Sequence, residues 1–436
     1  MAYLQFVRFL LPLIFAMVAM ELGGQILTGG MARVPRATET LAGFGLAWGL
    51  MSFLTSSLWQ LRQVGLVMVD SRRALGRVYR FVACFSLLLA ALMAGMALTP
   101  MGTWVIEDLH QVDRSLGAVV GHALLWLTPL PLLGGLTHLL AGVLMRVHRT
   151  EIVSAAALGS ILTSILSVFL LLPLEVIQEQ PIRLPVAVTY LGATVELVIL
   201  LIGYARCARP ALAPSGSLPR FAQLLGFFWP LALIMAVQGL SRPLINLFVA
   251  RASGDTQALA VLTVVYALGH LPYSWLNLIR NLAPAFRELP DGLARIRKFA
   301  SVCCLLSFGI AGSLFWTPLR PYILQDLIGV SASLSIRCAA PLVILSMFPF
   351  PVTVRAYFHG IGLLKRQTKA MAPSSLARIG AILLALAVLP ALGIHGATRG
   401  VAALFLGFAA EAAAVWLGVR ERNAPSAAQP SGPGQL

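Results

Sequence analysis

Apolar runs of spanning length recur along this chain, and they restrict its possible folds more than any other feature. They lie near residues 6 to 28, 40 to 69, 78 to 99, 117 to 144, 152 to 173, 184 to 205, 221 to 249, 257 to 286, 299 to 317, 333 to 360, 370 to 390 and 396 to 419. A hydrocarbon core ~30 Å thick is crossed by about 20 apolar residues in a helix, so each of these twelve runs reads as a membrane span. With 58% hydrophobic and 11% charged residues and a mean hydropathy of +0.86, a soluble chain of 436 residues is excluded. The expected fold is therefore an all-α polytopic membrane protein with twelve transmembrane helices. The first run is read as a retained helix and not a signal peptide, because Pro12 and Glu21 interrupt it and it has a counterpart later in the chain.

The net charge of +16 is explained by where the basic residues fall. They gather in alternate loops: Arg72, Arg73 and Arg77; Arg146 and Arg149; Arg206, Arg209 and Arg220; Arg295, Arg297 and Lys298; Lys365, Arg366 and Lys369; Arg420 and Arg422. The intervening loops are sparse or acidic, as in IEDLHQVD (106 to 113) and LEVIQEQ (174 to 180). The positive-inside rule then puts both termini in the cytoplasm, which an even number of spans permits, and calls for no nucleic-acid partner. The excess of Arg over Lys and the abundance of Ala, Leu and Gly suggest a bacterial source and hence the inner membrane. The five cysteines have no metal or redox spacing and read as small packing residues. Residues 421–436, rich in Pro, Ser, Gly and Ala, read as a disordered cytoplasmic tail.

The chain repeats itself. One constant shift puts Pro12 on Pro230, Leu13 on Leu231, Met17 on Met235, Arg33 on Arg251 and Arg62 on Arg280; a shift two residues longer puts TPLP (128 to 131) on FPFP (348 to 351) and Gly142 on Gly362. Six helices per half with one topology implies two parallel lobes related about an axis along the membrane normal. The expected division is a first lobe over 1–206, a cytoplasmic linker over 207–220 and a second lobe over 221–420. Two such bundles suit alternating access by rocking, and the architecture alone names no cargo.

Polar residues at helical spacing mark the candidate site. Gln238, Arg242 and Asn246 recur every fourth residue, and Pro243 among them predicts a kink. The eighth run carries His270, Tyr273, Asn277, Arg280 and Asn281, with Arg62 and Gln63 in its repeat mate. Glu21 and Gln25 stand one turn apart, as do Arg355 and His359. A charge inside a span must face protein or water and find a partner. Inside the runs Arg8, Arg62, Arg242, Arg280, Arg355 and Arg378 stand against Glu21, Glu196 and Glu411. That excess favours an anion, because the guanidinium fork binds phosphate or carboxylate and keeps its charge.

Each residue also has a plainer reading. Arg8 and Arg62 reach headgroups or form structural ion pairs, Arg242 pairs with Glu21, and Glu196 and Glu411 make interhelical hydrogen bonds. No metal-ligand cluster, phosphate loop or nucleophile signature is present.

Several stretches resemble the progressive ankylosis protein family: FWPLALIMAVQGLSRPLINLFVAR (228 to 251), GHLPYSWLNLIRNLAPAF (269 to 286), FPFPVTVRA (348 to 356), APSSLARI (372 to 379) and GIHGATRGV (393 to 401), with RFLLPL, LAGFGLAWGLM, VGLVMVDSRR and LHQVDRSLG in the first half. The resemblance implies a fold related to multidrug and lipid-linked oligosaccharide exporters (MATE/MOP-like) and export of pyrophosphate, ATP and citrate-like carboxylates. The long charged tail of the vertebrate members is missing here, so regulation through it is not inherited.

The combined expectation is a monomeric carrier, with the bilayer and a small anion as partners and neither cofactor nor metal nor enzymatic activity. Arg242, Arg280, Arg355 and Arg62 would hold the anion, with Asn246, Tyr273, Asn277, His270 and Gln238 around them; Glu21 and Gln25 would couple or pair. Two alternatives keep some of these features: a flippase for lipid-linked pyrophosphates, and a membrane transferase acting on polyprenyl phosphate, for which DLHQVD (108 to 113) is the nearest site.

Overall fold

The computed structural model describes residues 2–31, 33–109, 113–253, 256–327 and 331–421. Twelve helical rods account for nearly all of them. They are α1 (Ala2–Met31), α2 (37–68), α3 (Arg72–Leu98), α4 (114–146), α5 (Thr150–Leu171), α6 (Arg183–Gly203), α7 (Phe221–Ser253), α8 (256–285), α9 (Gly292–Phe315), α10 (Ala332–Leu364), α11 (Thr368–Leu392) and α12 (Gly396–Glu421). Nine rods are individually long and apolar enough to cross a membrane, and α4 is a tenth if its halves Arg114–Leu127 and Leu130–Arg146, bent by 44°, form one span. With α1 and α8 these rods match the twelve apolar runs. The chain is an all-α polytopic membrane protein. Among the described residues the one β-type pairing is an isolated bridge between Ser71 and Ala213.

The repeat is visible in local backbone irregularities. A π-helical turn at Trp104–Leu109 has its mate at Tyr322–Leu327, under the same shift that pairs Pro12 with Pro230. A 3-10 turn at Ser56–Gln60 in α2 overlaps in the same register with one at Trp275–Asn281 in α8. The two 3-10 turns have different local causes. In α8 the break follows Pro272, which has no N–H to give and whose carbonyl accepts from Ser307 Oγ (2.6 Å) and Trp275 Nε1 (2.8 Å). In α2 the hydroxyls of Thr55 and Ser56 bond the carbonyls of Met51 (2.8 Å) and Phe53 (3.0 Å), competing with the helical ladder. Pro243, where a kink is expected, does not end α7, which runs as one helix from Phe221 to Ser253.

The chain divides into two compact units, Met1–Ala236 and Val237–Leu436. The division falls inside α7, beyond the linker at 207–220. The first turns of α7 pack on α3, where the Phe228 ring meets Phe85 (4.8 Å) and Phe81 (5.7 Å) edge-on. The linker also docks on unit 1: Arg72 donates from its backbone N–H to the Ala213 carbonyl (2.9 Å) and from Nε to the Arg209 carbonyl (3.0 Å), and Ser217 Oγ donates to Asp70 (3.3 Å). Within unit 1, Phe44, Met51, Met93, Leu124, Leu127 and Val186 form one buried core joining α2, α3, α4 and α6. Asp113 begins α4 by accepting from the N–H groups of Ser115 and Leu116, and its contact with the Ser115 hydroxyl holds the carboxyl below the usual carboxylate range. DLHQVD therefore supplies a helix cap; residues 110 to 112 lie outside the described residues.

Just past its 3-10 turn, α2 crosses α4 with backbone against backbone. A Cβ added at Gly65 would lie 2.5 Å from the Leu139 carbonyl oxygen, and one at Gly142 would collide with the Arg62 carbonyl. Such an approach needs glycine on both sides. Gly142→Ala is expected to cost about 1–3 kcal/mol through overpacking, read as a lower thermal midpoint in detergent. Gly121→Ala, where the nearest atom is 3.9 Å away, should leave the midpoint unchanged. Equal midpoints for the two variants would mean that the crossing is not tight.

Candidate functional site

Among the described residues the densest polar cluster lies in unit 2 and is centred on an acid. Glu411, on α12, has a side chain that is 0% exposed. Its Oε2 accepts from Arg355 on α10 and from Arg378 on α11, each at 2.9 Å, and its Oε1 accepts from Gln238 on α7 at 2.8 Å. Arg378 Nε also donates to Ser241 Oγ (3.0 Å). The second terminal nitrogen of Arg355 donates to Asn277 Oδ1, in the 3-10 turn of α8. Asn277 in turn gives its amide to the Ser274 carbonyl (2.8 Å). Four helices thus converge on one carboxylate, with a fifth, α8, holding Arg355 from behind.

An aromatic floor completes the cluster. Phe408 stands one turn before Glu411, and its ring lies under both guanidinium groups, 4.0 Å from Arg378 and 4.9 Å from Arg355. Tyr273 stacks on Phe348 (5.1 Å), which packs against Phe408 (5.2 Å). His270 meets the Tyr273 ring edge-on at 5.3 Å.

Two guanidinium groups share one carboxylate, so this buried triad carries an excess positive charge. In a low-dielectric surrounding such an excess attracts anions over several ångströms. Arg242 adds to it from α7, one turn beyond Gln238, exposed and lying over the Tyr266 ring at 5.0 Å. Several buried polar atoms make no hydrogen bond among the described residues: Asn246 Oδ1, the Tyr266 hydroxyl and His359 Nε2. Such atoms are seats for water or ligand. Arg280, half-buried in the 3-10 turn, interacts electrostatically with His359, as do Arg355 and Glu411. The expected site residues Gln238, Arg242, Asn246, His270, Tyr273, Asn277, Arg280 and Arg355 therefore all fall in unit 2, on its α7, α8 and α10. Arg355 differs from expectation in one respect: it is ion-paired in the cluster and is not an open clamp.

Arg62 belongs to unit 1, where it has its own surroundings. Its guanidinium lies over Trp59 (5.8 Å), Trp59 packs on His138 (4.8 Å), and Glu196 is its electrostatic partner. That interaction is electrostatic only, and the buried Arg62 Nε makes no hydrogen bond among the described residues. Glu21 and Gln25 lie on α1, and their side chains fall outside the described residues, as does the tail beyond residue 421.

The family described as progressive ankylosis protein (ANKH) matches residues 1–317. The chain belongs to the progressive ankylosis protein family. Its fold is that of MATE and MOP-superfamily transporters. The eukaryotic MATE transporter AtDTX14 superposes with a TM-score of 0.70 at 12% identity, over 96% of this chain and 97% of that one. The Vibrio cholerae MATE transporter VcmN in its bent form gives 0.68 at 14%, over 96% of both chains. A MOP-superfamily transporter from Pyrococcus furiosus, described as having a binding pocket of reverse polarity that suggests a different function, gives 0.65 at 13%, over 96% and 95%.

In this member of the progressive ankylosis family, spacing within one helix reveals Gln238, Asn277 and Arg355 but does not reveal Arg378 and Glu411 as a centre. Each of those two is a lone polar residue on an apolar rod. The available signal was the count of charges inside spans, which left Glu411 requiring a cationic partner. Removing it would leave two buried guanidinium groups without a counter-ion. Glu411→Ala is expected to destabilise the protein by about 3–5 kcal/mol, read as a large fall in thermal midpoint or in folded yield. Glu175→Ala, at an exposed position, should stay within about 0.5 kcal/mol of the parent. Equal behaviour of the two would refute the role given to Glu411.

Proposed function

We propose that this protein is a transporter of the MATE/MOP kind that exports small polyanions carrying phosphate or carboxylate groups, such as ATP, pyrophosphate and citrate. The observation that carries the reading is the imbalance in unit 2, where Arg355 and Arg378 share Glu411 and Arg242 stands exposed one turn from Gln238. Guanidinium groups in a setting poor in water bind oxyanions strongly and with defined geometry. A site for organic cations would call for the opposite balance. The reverse polarity described for the Pyrococcus furiosus relative is consistent with a fold that tolerates such a change of sign.

In this proposal Arg242 meets the anion, while Asn246, Tyr266 and His270 supply hydrogen bonds and Glu411 acts as an internal counter-ion that keeps the cluster folded when no cargo is bound. Movement is by rocker-switch alternating access in the inner membrane, with both termini cytoplasmic, as the basic loops suggest.

The test is uptake of labelled ATP, pyrophosphate and citrate into vesicles containing the purified full chain. Transport of at least one anion is expected, with Arg242→Ala lowering the rate by about tenfold or more at an unchanged thermal midpoint. Anion transport equal to the parent's in Arg242→Ala, or transport of organic cations alone, would overturn the reading.

A further inference from the structure

A hollow lies far along the sequence from the cluster, wholly within unit 1. It has a volume of about 380 Å³ and is lined by Arg36, Glu39, Val119, His122, Trp126 and Arg183, among others. These residues come from the start of α2, the first half of α4 and the start of α6, at the end of unit 1 where α1 terminates. The volume falls in the range of small-molecule sites, about 300–1,000 Å³.

The chemistry of the lining is specific. Trp126 is held from behind, its carbonyl accepting from the Tyr190 hydroxyl at 2.7 Å. His122 stacks alongside its indole, with ring centroids 6.4 Å apart and planes 23° from parallel. The Arg183 guanidinium lies over the same indole at 5.8 Å. Arg36 is positioned by the Glu179 carbonyl (3.0 Å), and its contact with Glu39 is a loose and exposed 3.7 Å. Among the described residues no carboxylate pairs with Arg183. Two guanidinium groups therefore face one acid across a cavity with an aromatic slab. The indole lies within cation–π reach of Arg183, and among the described residues no acid occupies its N–H fork, which suits a planar, doubly accepting group.

We infer that this hollow binds a small soluble oxyanion, a carboxylate or a phosphate, through Arg183 and Arg36 against the Trp126 and His122 rings. On the orientation proposed above, this end of unit 1 faces away from the cytoplasm, so the site meets anions on the side to which they are exported. The binding itself does not depend on that orientation, nor on the role given to the Glu411 cluster.

Trp126 supplies the readout. Citrate, pyrophosphate and phosphatidylglycerol vesicles are titrated separately into the purified full chain while tryptophan emission is recorded. The component attributed to the hollow is the one absent in Trp126→Phe. Citrate or pyrophosphate is expected to change that component saturably. Arg183→Gln should weaken the apparent affinity by about tenfold or more. Val119→Phe, which fills the hollow and removes no charge, should abolish the response. Arg242→Ala, which keeps the parent's thermal midpoint on the reading above, should leave it within about twofold, because that residue belongs to the other unit. If neither soluble anion perturbs Trp126, if only the lipid vesicles do, or if Arg183→Gln binds as the parent does, the site does not exist as described. A loss of the response in Arg242→Ala with retention in Arg183→Gln would assign it to the site in unit 2 and overturn this inference.

Discussion

Hydrocarbon does not solvate a guanidinium group, and much of the organisation of unit 2 follows from meeting that constraint. Arg355 and Arg378 are almost wholly buried, at 6% and 4% exposure, on helices whose other residues are largely apolar. They are tolerable there because Glu411, Ser241, Asn277 and the face of Phe408 supply what water would. An arginine pair sharing one acid is stable only if every remaining N–H finds an acceptor or an aromatic face. The same requirement fixes α7, α8, α10, α11 and α12 relative to one another within the unit, since each contributes a group whose displacement would strand a charge.

Much of the fold was legible in the sequence because its determinants are local. Spanning length and the recurrence of prolines and arginines are properties of contiguous stretches, and they recover the twelve rods and the twofold repetition that the π-helical turns at 104–109 and 322–327 confirm. The site was legible only where polar residues repeat along one helix, as Gln238, Asn277 and Arg355 do. Arg378 and Glu411 carry no such pattern, because their partners arrive from other helices and sequence spacing holds no information about that meeting. The boundary between the compact units, which falls inside α7, is likewise set by packing between helices. Proline and glycine mark where the chain turns, but the Phe228 ring is packed against α3, and that packing assigns the first turns of α7 to unit 1.

Two of the polar clusters among the described residues show arginine in different settings. Arg62 interacts electrostatically with one acid, Glu196, and lies over an indole, while its own Nε and His138 Nδ1 beside it make no hydrogen bond among the described residues. The unit 2 cluster is deliberately unbalanced in number, with more cations than acids, and its surroundings keep polar atoms such as the Tyr266 hydroxyl and Asn246 Oδ1 without protein partners. Unsatisfied acceptors and surplus positive charge in one place are costly to a merely structural core.

The 3-10 turn in α8 also bears on membrane thickness. A 3-10 step rises about 2.0 Å per residue against 1.5 Å in an α-helix, so a turn of seven residues, Trp275–Asn281, extends the rod by about 3.5 Å over a regular helix of the same length. The overlapping turn in α2, at Ser56–Gln60, does the same to a smaller degree. Both rods therefore reach across a given bilayer with fewer residues than a residue count would assign them, and restoring either turn to regular helix would shorten its reach and create a hydrophobic mismatch.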